Sequence, residues 1–96
     1  MNRLDEVRQK RDAILRLASQ RGARQVRVFG SVARGDAAPG SDVDFLVTFD
    51  PDRSLLDHGG LLMDLQELLG TAIDVVDEDA MRPRFRKRVN KEAVPL

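Results

Sequence analysis

Apolar positions recur along this chain first with a helical period and then with a strand period. Over residues 3–21, Leu4, Val7, Ile14, Leu15 and Ala18 fall three, four or seven apart, while Arg3, Arg8, Lys10, Asp12 and Arg16 fill the other face. This predicts one amphipathic helix. Asn2 is placed to cap it, Asp5 and Glu6 lie in its first turn where the helix dipole favours carboxylates, and Gly22 stops it. Residues 26–29 form a short β-branched and aromatic run ending at Gly30. In residues 43–49, Val43, Phe45, Val47 and Phe49 alternate with Asp42, Asp44, Leu46 and Thr48. A strand of period two sends the Val and Phe set to the core and puts Asp42 and Asp44 together on the opposite face.

Asp50, Pro51 and Asp52 break that strand, and Ser54 with Asp57 has the spacing of a capping box for a helix running to Leu69. Leu61, Leu62, Leu65, Leu68 and Leu69 form its apolar stripe, and Gly70 ends it. Gly59 and Gly60 each cost a helix about 1 kcal/mol relative to alanine, so its first turn is expected to be separate or irregular. Residues 72–77 predict a third strand, with Asp74 and Val76 on one face and Ile73 and Val75 on the other. Met81, Phe85 and Val89, four apart, mark a last helix with Pro83 in its first turn, and residues 93–96 are placed to add an edge strand. Met63, Met81 and Phe85 are expected in the packing, and His58, a lone histidine beside two glycines, exposed and inert. The order describes an α/β (α+β) fold, a small mixed sheet of three to four strands backed by helices.

Length and composition narrow what such a fold can do. Ninety-six residues with no cysteine make one domain, residues 1–96, without a disulfide scaffold, thiolate metal site or cysteine redox chemistry. A shallow site is expected. Apolar runs of about three residues and a charged start, MNRLDEVRQK, predict neither a membrane span nor a signal peptide, and hence a cytoplasmic protein. The formal net charge of zero is a cancellation: residues 1–34 carry nine basic and three acidic side chains, residues 35–80 one and twelve, and residues 81–96 six and one. An acidic centre thus lies between two basic ends.

The chemistry concentrates in residues 30–44. Gly30 and Ser31, at a strand end entering a helical turn, offer backbone N–H groups and a hydroxyl to a phosphate. Asp42 and Asp44, two apart on a strand, project from one face with backbones about 6.5–7 Å apart, which suits one hard cation or a close pair. Metal-bridged triphosphate satisfies both halves at once. Asp74 supplies a third carboxylate on another strand, to complete the metal site and act as base toward a hydroxyl. Ser41 is placed to cap or orient Asp42 through a local hydrogen bond and counts with Gly30, Ser31 and Arg34 as a candidate nucleotide contact, and Pro39 with Gly40 is placed to make a turn. Arg34 is either a phosphate contact or one more surface arginine.

The string GSVARGDAAPGSDVDFLV, with Gly-Ser, a loop and Asp-x-Asp on the next strand, resembles the signature of the DNA polymerase β-like nucleotidyltransferase superfamily. With SLLDHGGLLMDLQELLG, AIDVVDEDAM and RFRKRVNKEAVPL, residues 4–96 look like the minimal, MntA-like nucleotidyltransferases. The resemblance implies the nucleotidyltransferase fold and a Mg²⁺ (or Mn²⁺)-dependent transfer of AMP from ATP to an acceptor hydroxyl. It implies Gly30 and Ser31 on the triphosphate, Asp42 and Asp44 on the metals, and Asp74 as third catalytic carboxylate. It also implies an antitoxin that adenylylates a HEPN-domain ribonuclease toxin, in a hetero-complex whose partner completes the acceptor site. A second reading is a non-catalytic antitoxin or nucleotide-binding module that neutralises its partner by direct binding. The basic positions Arg82, Arg84, Arg86, Lys87, Arg88 and Lys91 read as the solvent face of the last helix. With four Phe and no Trp or Tyr for base stacking, direct nucleic-acid binding is not expected.

Overall fold

A computed structural model describes residues 2–38 and 40–96. Its mixed four-stranded sheet has the order β3-β2-β1-β4, with β1 Ala23–Phe29, β2 Val43–Phe49, β3 Ile73–Asp77 and β4 Val94–Pro95. β1 is antiparallel to both β2 and β4, whereas β2 and β3 run parallel. The parallel pair needs a crossover, supplied by α4, Leu55–Leu69. The small mixed sheet backed by helices is the one the periodicities predict.

The amphipathic N-terminal stretch is two helices, α1 Arg3–Gln9 and α2 Arg11–Gln20, interrupted only at Lys10 (φ −103°, ψ 19°). The Asn2 side chain accepts from the Asp5 N–H as expected of a cap. Val7, Ile14 and Ala18 from these helices, Leu61 and Leu65 from α4, and Val43, Phe45, Val47, Ile73 and Val75 from the sheet make one apolar core. β1 begins at Ala23, three residues before the apolar run, and carries an irregularity between Arg24 and Arg27 with Gln25 at φ 53°. The predicted turn at Pro39 lies outside the described residues.

Helix α4 keeps its capping box, Ser54 with Asp57, and runs unbroken through Gly59 and Gly60. The expected irregular first turn is therefore not there. A Cβ on Gly60 would overlap the guanidinium of Arg21, which pairs with Asp64 one turn on at 3.1 Å, so this glycine makes room for an arginine. A Cβ on Gly59 would meet nothing. Replacing Gly59 by Ala should raise unfolding stability by up to about 1 kcal/mol, read from denaturant midpoints.

The second face of the sheet is covered too. Leu46 points away from Phe45 and Val47 yet is fully buried. On that face the chain after β3 makes a single 3-10 turn, Glu78–Ala80, and α5, Pro83–Glu92, whose Val89 is buried. Glu78 ties the layer down, accepting from Arg27 of β1 (2.6 Å) and from Asn90 (2.7 Å) and Arg86 (3.3 Å) of α5. Three expectations are corrected here. Met63 is largely and Phe85 about half exposed, since Met63 lies off the Leu61–Leu65 stripe and α5 is held by Val89 and the Glu78 network instead. His58 is not idle: its Nε2 lies 2.7 Å from the Val75 carbonyl oxygen and its ring stacks on Phe49, centroids 5.2 Å apart. Among the described residues no helix is long and apolar enough to cross a membrane.

Candidate active site

The antiparallel β1–β2 pair and the parallel β2–β3 pair bring three chain segments to one place. Phe29 at the end of β1 is the register partner of Asp44, and Asp44 is in turn the register partner of Asp74. Neighbouring strands lie about 4.8 Å apart, so Asp44 and Asp74 stand side by side on one face. Gly30 follows Phe29 with φ 74°, and a Cβ there would run into the Asp44 carboxylate. The glycine is required twice, by its backbone angle and by the carboxylate beside it.

Crowding shows in the acidity of Asp44. Burial first, then the negative charges of Asp74 and Asp42, push its carboxyl above the usual range, against the pull of Arg34. Asp42 and Asp74 are exposed and Asp44 half-buried. Hard carboxylate oxygens repelling one another, with no nitrogen or sulfur ligand, are the donor set that suits Mg²⁺ or Mn²⁺. Among the described residues the side chains are not gathered into a closed three-ligand cluster, so the fit is one of chemistry and strand register.

Gly30 opens α3, Gly30–Arg34, which has no local side-chain cap. The Gly30 N–H instead donates to Glu92 at the end of α5 (3.0 Å), and Arg34 donates to the other oxygen of the same carboxylate (3.2 Å) and to Asp36 (3.4 Å). Those two anions, Glu92 foremost, hold the Arg34 guanidinium's pKa above its ordinary value. Ser31 is half-buried in the first turn of α3. Ser41 stands apart from this group: its carbonyl accepts from Arg3 (3.1 Å) and its N–H donates to the Ala38 carbonyl (3.0 Å). The expected bond from its hydroxyl to Asp42 is not among those the described residues form. A cavity of about 230 Å³ between α1, the end of α4 and Val43 opens on the helical side of the sheet, away from the carboxylates.

The sequence profile of the nucleotidyltransferase domain family matches residues 7–96. The chain belongs to this family. A relative from Methanocaldococcus jannaschii that carries the provisional name protein adenylyltransferase is 34% identical over 93 residues, 97% of each chain. The protein adenylyltransferase MntA of Thermococcus cleftensis is 41% identical over 73 residues, 76% of this chain and 74% of that one. A solved structure provisionally described as a minimal nucleotidyltransferase superposes with a TM-score of 0.89 at 49% identity, covering 100% of this chain and 97% of that one. A crystal structure of a toxin–antitoxin with AMP-PNP shares the fold at a TM-score of 0.75 and 20% identity, over 88% and 69% of the two chains. The resemblance read from Gly-Ser and Asp-x-Asp therefore holds, and this nucleotidyltransferase is an enzyme of the minimal type. One residue bonded to the candidate phosphate donors escaped the motif: Glu92, whose signal in the sequence is to be the single acid among residues 81–96.

Proposed function

We propose that this nucleotidyltransferase transfers AMP from ATP to a hydroxyl of a partner protein, with Mg²⁺ or Mn²⁺ held by Asp42, Asp44 and Asp74. The observation that carries the proposal is the ladder placing Asp44 between Gly30 and Asp74, because it joins the anion-holding Gly30 amide and Arg34 to a crowded set of carboxylates. In this reading Gly30, Ser31 and Arg34 bind the triphosphate, and the loop fixed through Ser41 borders it. The bound cation would offset phosphate charge and polarise the α-phosphoryl group. Asp74, exposed beside Asp44, takes the proton of the acceptor hydroxyl as its oxygen bonds to the α-phosphorus. The bond from that phosphorus to the bridging oxygen breaks, and pyrophosphate leaves with the electron pair.

The names of the relatives, protein adenylyltransferases, support a protein acceptor, and the toxin–antitoxin neighbour with AMP-PNP supports an adenine nucleotide and a toxin as partner. We take the toxin to be a HEPN-domain ribonuclease and this chain to be its antitoxin in a cytoplasmic hetero-complex. The test is incubation with α-labelled ATP, Mg²⁺ and the product of the adjacent gene. Label should appear on the partner and disappear with Asp42→Asn. Label transfer that survives this substitution, or suppression of the toxin by the substituted protein with no transfer at all, would overturn the enzymatic reading.

A further inference from the structure

Glu92 occupies the groups a triphosphate would need. Its two carboxylate oxygens accept from the Gly30 amide (3.0 Å) and from the Arg34 guanidinium (3.2 Å), and its charge is one of those felt by Asp44. Its main chain is fixed on both sides. The Ala93 amide donates to the Val89 carbonyl (2.9 Å), and two residues after Glu92 Val94 pairs with Val28 in the sheet. The side chain is half-buried and ends in a carboxylate that water can solvate, so rotation about its own bonds frees both donors while the helix and the edge strand stay in place.

We propose that Glu92 is a built-in anion that holds the phosphate donors in shape in the nucleotide-free protein, competes with the triphosphate for them, and so sets nucleotide affinity. The inference rests on the reading of Gly30 and Arg34 as phosphate ligands. An anion facing Arg34 keeps the guanidinium ordered and aimed at the site, so the donors are organised before nucleotide arrives. The cost is a like charge that the triphosphate must displace. Affinity should then improve, not fall, when that charge is removed but the shape kept.

The experiment is calorimetric titration of Mg²⁺ and AMP-PNP, up to millimolar concentrations, into the wild-type protein and Glu92→Gln, with thermal melts of both. Glu92→Gln should bind about fivefold more tightly, the effect of one exposed like charge at close range, at an equal or slightly lower melting temperature. Equal or weaker binding in the folded variant would show a brace or a ligand and overturn the proposal. A second reading uses the wild type alone: in ¹⁵N–¹H spectra AMP-PNP should shift the Gly30 amide and leave Val94 in its place. Loss of the Val94 signal would mean that the edge strand detaches, and would overturn release by side-chain rotation. A wild type that binds no AMP-PNP at all removes the nucleotide reading itself. That result is distinct from a wild type that binds while Glu92→Gln gains nothing.

Discussion

Asp44→Asn should lower the rate of nucleotidyl transfer by about 10²–10³-fold while leaving the protein as stable as before or more so. Both halves follow from the same surroundings. Asp44 is the carboxylate shared by the ladder pair with Asp74 and the close approach to Gly30, so losing its charge removes the centre of the proposed cation site, an electrostatic role whose loss costs on that scale. Burial and the charges of Asp74 and Asp42 already disfavour its ionised form, and the neutral amide relieves that repulsion. Single-turnover label transfer and a thermal melt check the two parts. A variant that loses stability together with activity would make Asp44 a structural residue, and one that keeps its activity would move the chemistry elsewhere.

The second large effect concerns stability. Arg27→Met should destabilise the fold by about 2 kcal/mol, a fall of roughly 10 °C in melting temperature for a chain of this size. Glu78 is the one buried charged residue among those described, 7% exposed, and Arg27 is its shortest contact. Its cover consists largely of the arginines themselves, so water screens the pair and the figure lies below that of a deeply buried one. The Arg27 hydrogen bond first, and the Asn90 bond second, bring the Glu78 carboxyl down from 4.5 to about 2. A carboxyl with a folded value below its unfolded one stabilises above the unfolded value. Its contribution is thus complete above about pH 4.5 and lost as the pH falls from there toward 2. Urea melts of the wild type across that window should show declining stability, and Glu78→Gln should flatten the decline. An unchanged acid slope in Glu78→Gln would assign the loss to other carboxylates.

What could be read from the sequence follows from how each element is held. β2 and α4 have the bounds the pattern predicts, Val43–Phe49 and Leu55–Leu69, because one alternates cleanly and the other carries both a capping box and a leucine stripe. β1 is longer than its apolar run, since the irregularity at Gln25 breaks the alternation before Val26 and hides the first three residues from a period-two reading. The break at Lys10 leaves the apolar spacing of α1 and α2 in phase, so nothing in the pattern marks it. His58, Gly60 and Glu92 are set by lateral contacts to residues far along the chain, Val75 and Phe49, Arg21, and Gly30 with Arg34 respectively. Such contacts have no period. The acidic motif was legible for the opposite reason: Asp42, Asp44 and Asp74 occupy the polar phase of two strands whose apolar phase is unmistakable.

That phase relation protects the reaction from misassembly. If β3 slid by one residue along β2, Ile73 and Val75 would leave the core and Asp74 would enter it, a penalty spread over the whole strand. Folding therefore proofreads the site: the packing that rejects a strand slipped by one residue also rejects the sheet in which Asp74 has left the face it shares with Asp44.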